Sequence, residues 1–240
     1  MNPRTRYILQ LITMLLGVAL MVVAIYISRH DRQDTPCRQL QIVIADSAQR
    51  RFVSDSEIKQ LVAIGPTIYS TNYHAIEQQL LAHPMIKSAQ CYCLPNGTIV
   101  INLTQRQPVI KIESNGEVPY YIDADRLTMP VRNGLKTNII EIRGHVGKQQ
   151  AAGELFDLAQ WIMSSNYWSE KIHTMEVTNP KMIVLIDSTK GYRIILGTAD
   201  GFEQRMNQLE KLYEKGFEQL NWPKYKEIDL RYNGQIIGRK

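Results

Sequence analysis

The most pronounced pattern in the chain is an uninterrupted apolar run near its amino end. Residues 8–27 read ILQLITMLLGVALMVVAIYI, with no charged residue and with Gln10 and Thr13 as the appreciable polar interruptions. At about 1.5 Å of rise per residue, a helix of this length spans about 30 Å, the thickness of the hydrocarbon core of a bilayer. A cleaved signal peptide has a shorter apolar region and ends in a small-x-small site, which residues 23–27 do not offer. The run therefore predicts an uncleaved transmembrane signal anchor over residues 8–28.

The orientation of this anchor is predicted from the segments that it connects. Basic residues flank the run on both sides: Arg4 and Arg6 before it, and Arg29, His30 and Arg32 after it. Because these charges nearly balance, they do not decide which side of the membrane holds the body of the protein. Long domains are translocated with little regard to their charge. We therefore expect residues 1–7 to form a short cytoplasmic tail, residues 29–37 a linker, and the remainder to lie in the periplasm or its equivalent.

Residues 38–107 show the pattern of a small two-layer module. The predicted elements are a strand at 40–44, a helix after Ser54, a helix at 72–82, and strands at 86–93 and 98–104. Asn96-Gly97 joins the last two strands and suits a tight hairpin, because both residues accept a positive φ. The order β-α-α-β-β within about 70 residues predicts an α+β module.

The ends of the first helix in this module have recognisable sequence signals. Ser54 and Glu57 have the spacing of a capping box, and Val53 and Ile58 can form a hydrophobic staple across it. Gly65-Pro66 is expected to end that helix.

After Pro108 the pattern becomes dominated by strands. Strand-like runs lie at 109–112, 118–122, 139–143, 172–178, 182–186 and 192–196. Two helical patterns interrupt them, one carrying Leu155, Leu158 and Ile162 and the other Phe202, Met206, Leu209 and Tyr213. Residues 108–240 are therefore predicted to form a mainly antiparallel β domain with two helices.

The carboxyl end of the sequence predicts a hairpin at the end of a sheet. Over residues 225–232, Ile228, Leu230 and Tyr232 alternate with Glu227, Asp229 and Arg231. Asn233-Gly234 then turns the chain into residues 235–239. A final short strand at the end of a sheet leaves one row of backbone donors and acceptors unpaired.

The formal net charge of +5 does not indicate a nucleic-acid-binding protein. Residues 1–39 hold five Arg against Asp31 and Asp34, which leaves 23 basic and 21 acidic residues in the rest of the chain. That part is nearly neutral, and no basic stripe accompanies the 12 tyrosines. We therefore expect no nucleic-acid partner.

The usual catalytic and metal-binding motifs are missing from the sequence. It contains no G-x-S-x-G elbow, no phosphate-binding Gly-rich loop and no H-E-x-x-H motif. The five histidines, at positions 30, 74, 83, 145 and 173, show no i, i+4 spacing. The sequence therefore predicts no enzyme, no catalytic residue, no cofactor, no metal site and no small-molecule substrate.

Two pairs of residues allow a chemical interpretation besides a structural one. Cys91 and Cys93 share one face of a strand, and we interpret them as small hairpin residues in preference to a metal or redox pair. Alternatively, Cys37 meets one of them across neighbouring strands in an oxidising compartment, which leaves an odd thiol. Asp123 and Asp125 are interpreted as the turn that follows a strand in preference to a pair of catalytic carboxylates.

In this arrangement the chain resembles the FtsQ/DivIB family of bitopic bacterial cell-division proteins, in the form found in Bacteroidetes-like sequences. The residues that carry the resemblance are Arg106-Gln107-Pro108-Val109, Tyr120-Tyr121-Ile122-Asp123 with Met129-Pro130, Ile194-Ile195-Leu196-Gly197, and Ile228-Asp229-Leu230-Arg231-Tyr232-Asn233-Gly234. Each motif alone is weak, but their order and spacing cover essentially the whole chain.

The resemblance implies a non-enzymatic divisome scaffold made of a POTRA-like domain and a β domain. Relatives bind the small coiled-coil proteins FtsB (also DivIC) and FtsL, which in turn control septal peptidoglycan synthesis by FtsW and FtsI. FtsB adds a strand beside the C-terminal strand of the β domain. The positions that this carries over are Arg231, Tyr232, Gly234, Gln235, Ile236 and Ile237. The implied location is the cell inner membrane at the division septum, and the POTRA-like domain is expected to contact other divisome proteins.

Other interpretations of the same features remain open at this point. Arg239 and Lys240 could protect the sheet edge from pairing, as charges on edge strands do. A POTRA-bearing envelope assembly or secretion component would share the same module with a different client. A membrane-anchored cell-wall enzyme would require a deep pocket with converging titratable groups. The short tail before the anchor and the end at Lys240 depart from longer relatives.

Overall fold

A computed structural model describes residues 3–33, 35–45, 51–132, 139–179, 182–217, 225–232 and 234–240. The chain divides into two compact units, residues 1–105 and residues 106–240. The division falls two residues before the boundary expected from the sequence. We describe each unit by itself.

The first unit begins with one long helix, α1, at Pro3–Gln33. Within it, Gln10–Ser28 is long and apolar enough to cross a membrane. Residues 29–37 were expected to be a linker, but the helix continues through Gln33. The expected linker is therefore helical over its first half, because nothing in residues 29–33 interrupts helix formation as Gly or Pro would.

The rest of the first unit is a two-layer α+β module. Its elements are β1 at Gln39–Ile44, α2 at Asp55–Leu61, α3 at Tyr73–Leu81, β2 at Ile86–Cys93 and β3 at Thr98–Gln105. The three strands form a sheet in the order β1-β3-β2, with β1 parallel and β2 antiparallel to β3. The predicted β-α-α-β-β order is confirmed. Its core includes Ile58, Ile76, Leu80 and Ile101, all at most 1% exposed.

Side-chain caps begin both helices of this module. Ser54 Oγ accepts a hydrogen bond from the backbone N–H of Glu57 at 3.2 Å, as predicted, and the staple residues Val53 and Ile58 are both buried. Asn72 Oδ1 accepts one from Ala75 N at 3.0 Å. The helix α2 ends at Leu61, earlier than the predicted Gly65-Pro66 stop, because Val62 is already extended.

The second unit is built on one large mixed sheet. Its strands are β4 at Pro108–Ser114, β5 at Tyr120–Asp123, β6 at Thr128–Pro130, β7 at Ile140–Gly144, β8 at Ile172–Asn179, β9 at Met182–Asp187, β10 at Arg193–Gly197, β11 at Glu227–Asp229 and β12 at Ile237–Arg239. The sheet order is β12-β11-β10-β9-β8-β7-β4-β5-β6. Three neighbouring pairs are parallel, β4 with β7, β7 with β8 and β10 with β11, and the other five are antiparallel. The mainly antiparallel α+β prediction is confirmed.

One face of this sheet forms the core with the helices. The helices are α4 at Lys148–Ala152, α5 at Glu154–Ser164 and α6 at Phe202–Leu212, which runs into one π-helical turn at Tyr213–Phe217. Ile142, Met175, Leu185 and Ile194 from four strands lie in one cluster of buried residues with Leu158 of α5 and Leu209 of α6. On the opposite face, charged side chains form a ladder in which Lys111 Nζ binds Glu141 Oε1 at 2.8 Å. The alternation of apolar and polar residues along each strand produces these two faces.

The sheet places β12 at one end and β6 at the other. Of the predicted strand at 225–232, Glu227–Asp229 pairs as β11, and of the predicted 235–239, Ile237–Arg239 pairs as β12. The predicted turn includes Asn233, which lies outside the described residues. Short segments β6 and α4 have too few residues for a recognisable period, and the sequence analysis did not predict them.

Candidate functional site at the β12 edge

The outermost strand of the large sheet, β12, is the candidate site. It pairs with β11 in antiparallel register, with Arg239 opposite Glu227 and Ile237 opposite Asp229. In the part of the chain that the structure describes, no strand lies on the other side of β12. We call the free side of Ile237–Arg239 the β12 edge.

The hydrogen bonds of β11 show which backbone groups the β12 edge presents. Leu230 N donates to Ile195 O at 2.9 Å, on the β10 side of β11. Successive residues of a strand direct their N–H and C=O to opposite sides, so Glu227 and Asp229 face β12. Their partners Arg239 and Ile237 therefore face back toward β11, and Gly238 between them directs its N–H and C=O outward. Ile236 has the same parity as Gly238.

A buried carboxylate fastens this edge to the sheet. Asp229 is fully buried, and its Oδ1 and Oδ2 accept a two-pronged pair of hydrogen bonds from Arg231 Nε at 2.9 Å and Nη2 at 2.6 Å. Arg239 Nη2, from β12 itself, donates to Asp229 Oδ2 at 2.8 Å. The Arg231 hydrogen bond is the main reason that the pKa of Asp229 lies below its usual value. Asp229 thus remains ionised at neutral pH and holds both guanidinium groups.

At two glycines near this edge, the side chain of another residue packs directly against the glycine backbone. A Cβ added to Gly197, which has φ +81°, would lie 2.9 Å from Cγ of Arg231. A Cβ added to Gly238 would lie 2.7 Å from Cδ1 of the Tyr225 ring. The stem of Arg231 and the ring of Tyr225 therefore cover the end of the sheet at positions where no side chain larger than hydrogen fits.

The six positions carried over from the family resemblance fall into two groups. Arg231 and Tyr232 follow β11, and the Tyr232 side chain is 47% exposed, with the Arg231 guanidinium 6.0 Å from its ring centroid. Gly234 has φ +71° and Gln235 N donates to Tyr232 O at 3.2 Å, so both belong to the turn.

The remaining two positions lie at the start of β12 and immediately before it. Ile237 is the first residue of β12 and is 36% exposed. Ile236, immediately before β12, packs against the core of the unit, so its side chain anchors the start of the strand. Of the alternating residues Ile228, Leu230 and Tyr232, the first two are buried, whereas Tyr232, which lies beyond the end of β11 at Asp229, is exposed.

Sequence reasoning did not find the groups that hold the edge together. Asp229 lies at a position of polar parity. Its burial is compensated by Arg231, two residues further along the chain, and by Arg239, which the turn brings back to it. Arg239 was weighed as a protecting charge on the edge. In the structure its guanidinium binds Asp229, within the sheet.

The three thiols do not pair. Cys37, Cys91 and Cys93 are all free. The interpretation in which Cys37 meets Cys91 or Cys93 across neighbouring strands is not seen in the structure: Cys37 Sγ lies 3.6 Å from Thr71 Oγ1, and β3 separates β1 from the strand that carries the other two. Burial, then the charges of Glu77 and Cys93, raise the pKa of Cys91 to about 11. That thiol therefore stays protonated and unreactive at neutral pH.

Asp123 and Asp125 form the predicted turn. Asp123 Oδ1 accepts hydrogen bonds from Asp125 N at 3.0 Å and Leu127 N at 2.8 Å. Its other oxygen binds Arg106 Nη1 at 2.7 Å in a buried ion pair. Across the described segments, no group of three or more His, Cys, Asp or Glu is arranged to hold a metal ion.

Comparison with known families defines the class of protein first. Residues 35–104 match the POTRA-like domain, which is the module of β1–β3 with α2 and α3. With the apolar helix α1 before it and the large mixed sheet after it, the chain is a single-pass membrane protein that carries a POTRA-like domain. Residues 107–239 match the model described as FtsQ/DivIB, C-terminal related. The chain belongs to the FtsQ/DivIB family and is therefore a component of the cell-division machinery.

A relative supports the same assignment over most of the length. The cell division protein FtsQ of Rhodothermus marinus is 23% identical over 203 residues, which cover 79% of this chain and 74% of that protein. The family resemblance found in the sequence motifs is confirmed. Membership of the divisome implies protein partners.

Proposed function

We propose that the protein is a non-enzymatic scaffold that recruits an FtsB/DivIC-like bitopic partner by strand addition at the β12 edge. The observation that carries the proposal is the outward direction of Gly238 on the outermost strand of the sheet. Ile236, two residues before Gly238 and just ahead of the strand, has the same parity. Strand addition takes its affinity from main-chain hydrogen bonds and its specificity from neighbouring side chains. Arg231, Tyr232, Gly234, Gln235, Ile236 and Ile237 are the residues proposed to bind the partner.

Two features of the edge support binding over protection. Natural edges are protected by charges that project where a strand would pair. Here the Arg239 guanidinium is bound to the buried Asp229, so it does not cap the free side of β12 as a mobile charge. Tyr232, half-exposed beside the edge, supplies the aromatic contact that is enriched in binding hot spots.

In this proposal an FtsL-like protein joins the complex with the FtsB/DivIC-like partner, and the three together regulate septal peptidoglycan synthesis. The anchor lies in the cell inner membrane with the amino terminus in the cytoplasm, the body in the periplasm and the protein at the division septum. The POTRA-like domain contacts other divisome proteins. The support for this arrangement is the family membership together with the order of anchor, module and sheet.

The test compares two substitutions at Ile236 in the full chain, purified with the FtsB/DivIC-like protein of the same cell. Ile236→Pro removes an outward N–H and places a ring in the path of the added strand. Ile236→Ala removes a similar amount of core packing and keeps the N–H. We expect roughly tenfold weaker binding for the proline variant than for the alanine variant, because one main-chain hydrogen bond contributes about 1 kcal/mol and the ring blocks further pairing.

Binding is measured by titration in detergent, with unfolding of both variants followed by tryptophan emission. The three tryptophans all lie beyond residue 106 and report on the second unit. Equal affinities for the proline and alanine variants would show that the partner does not pair with this backbone. Loss of binding in both variants alike would assign the effect to the Ile236 side chain.

A further inference from the structure

The chain is bound into the POTRA-like module almost immediately after it leaves α1. Thr35 O accepts a hydrogen bond from Ile68 N at 3.1 Å, and Cys37 N donates to Pro66 O at 3.1 Å. Arg38 N donates to Gly97 O at 2.9 Å. These bonds join residues 35–38 to residues 64–71 on one side and to the β2–β3 hairpin, residues 93–98, on the other. We call the surface formed by these three segments the anchor-side pole.

Covalent geometry keeps the anchor-side pole close to the membrane. The apolar span ends at Ser28 and the helix at Gln33, and Thr35 is already hydrogen-bonded to the module. Five helical residues and two further residues, even at the full length of an extended chain, reach at most about 15 Å. The polar headgroup layer of a leaflet is itself about 5–7 Å thick. The pole therefore cannot lie far from the headgroups, whichever side of the membrane the body occupies.

The anchor-side pole is depleted of charge. Its three segments, TPCR, IGPTIYST and CLPNGT, contain one charged residue, Arg38, whereas 21% of the whole chain is charged. A surface that faces bulk water has no need of such a composition, but one that approaches the acyl boundary of a bilayer does, because a charge there is costly to desolvate.

The same pole exposes large apolar side chains. Tyr69 is 56% exposed, and Ile64 and Leu94 are each 37% exposed. Tyr69 also lines an open pocket of about 320 Å³ with Ile68, Thr71, Tyr73 and Cys93. Tyrosine is enriched at membrane interfaces, where its ring contacts the apolar acyl chains and its hydroxyl contacts water.

We propose that the anchor-side pole rests on the bilayer, with Tyr69, Ile64 and Leu94 in the boundary between headgroups and acyl chains. The proposed binding partner of this surface is lipid. The anchor holds the pole within reach of the bilayer, and the pole has few charges that would oppose contact with it. The proposal depends on the membrane anchor and is independent of strand addition at the β12 edge. It gives the POTRA-like module a fixed height above the membrane.

The matched control lies at the other end of the same module. The helix α3 begins beside the pole, at Tyr73, and ends at Leu81, about 12 Å further along the helix axis. Leu81 is 40% exposed, close to the exposure of Ile64 and Leu94. A probe at position 81 therefore has similar freedom and faces away from the membrane in the proposed arrangement.

The experiment places the photoreactive amino acid p-benzoylphenylalanine at Tyr69, or at Leu81, in the full chain. Each protein is reconstituted alone into vesicles of phosphatidylcholine and phosphatidylglycerol, illuminated and analysed by intact-mass spectrometry. We expect lipid adducts at position 69 and several-fold fewer at position 81. Because both side chains are exposed, thermal unfolding should match that of the parent protein in both cases.

Equal adduct yields at the two positions would overturn the proposal, since they would reflect random collision of a tethered domain with the surface. A yield at position 69 no higher than without illumination would also overturn it. Strand addition at the β12 edge is unaffected by either result, because these vesicles contain no partner.

Discussion

The carboxylate of Asp229 binds the guanidinium of Arg239 across strands β11 and β12, with 2.8 Å between Oδ2 and Nη2. Strand β12 is only three residues long. A three-residue strand at the end of a sheet has few backbone hydrogen bonds to resist fraying. The ion pair, the packing of Ile236 and the Tyr225 ring over Gly238 hold it in a defined register. These contacts order the β12 edge within the chain itself, which would lower the entropic cost of the proposed strand addition.

Replacing Asp229 with Asn should loosen the β12 edge. The amide cannot hold two guanidinium groups by charge, but both arginines are partly exposed and can be hydrated, so we expect a loss of about 1–2 kcal/mol in the free energy of unfolding. Amide hydrogen exchange over residues 236–240 should become faster. The control is Asp123→Asn, which breaks the buried pair with Arg106 near the other end of the sheet. If amide exchange at the β12 edge is as slow in D229N as in D123N, Asp229 does not hold β12 in place.

The same ion pair predicts a pH dependence. Hydrogen bonding from Arg231 holds the pKa of Asp229 below its ordinary value of 3.8. The stabilisation is therefore complete above the unfolded-state pKa, at about pH 5 and higher, and is lost as the pH falls through the lower folded-state pKa. The difference in unfolding free energy between wild type and D229N should be constant from pH 8 to pH 5 and shrink below 3.8. A difference that stays unchanged at pH 3 would refute this assignment.

Tyr232→Ala tests the aromatic side chain beside the edge. Because Tyr232 is 47% exposed, removing its ring should leave the free energy of unfolding nearly unchanged. Binding of the FtsB/DivIC-like partner should become weaker by about 2 kcal/mol. Val118→Ala is the control, since Val118 is an apolar residue of the same unit with 85% exposure and precedes β5, near the opposite end of the sheet. Calorimetric titration of both variants gives the comparison, and equal affinities would remove Tyr232 from the proposed interface.

Most strands of the second unit could be predicted from the sequence because each of them carries its own alternation of polar and apolar residues. Ile194 and Leu196 of β10, or Met175 and Val177 of β8, mark the core face without reference to the rest of the chain. Local caps such as Ser54 are likewise visible in a few residues. Such features depend on near neighbours, and the predictions made from them were confirmed.

Features that depend on distant segments could not be predicted. The helix α2 stops before Gly65-Pro66, and the segment beyond it instead binds residues 35–38 through Pro66 O and Ile68 N. The sheet order β1-β3-β2, which places β3 between β1 and the strand of Cys91 and Cys93, is specified by no local pattern. Asp229 is buried because a turn returns Arg239 to it. In each case the deciding partner lies in a segment that the local pattern does not identify.

Gln105→Leu should destabilise the POTRA-like module. Gln105 is 1% exposed, and its Oε1 accepts hydrogen bonds from Phe52 N at 2.7 Å and Val53 N at 2.9 Å. A leucine would leave both donors buried without this acceptor, at a cost of about 2–3 kcal/mol. Hydrogen exchange of the β3 amides reports on this unit, since the tryptophans lie in the other. Gln90→Leu, at an exposed position of the same sheet, should have little effect, and equal exchange in the two variants would contradict the prediction.

Gly144→Ala should destabilise the large sheet more than another glycine substitution with a similar backbone conformation. Gly144 has φ +106°, and a Cβ there would lie 2.3 Å from Val177 O, on the neighbouring strand β8. Gly116 has φ +81° with no atom within 4 Å of its added Cβ. Both alanines meet the left-handed conformation, which costs about 1–2 kcal/mol. Only G144A must also push β7 and β8 apart, which adds about 1–3 kcal/mol. Urea unfolding followed by tryptophan emission measures the difference, and equal midpoints for G144A and G116A would show that the two strands are not in such close contact.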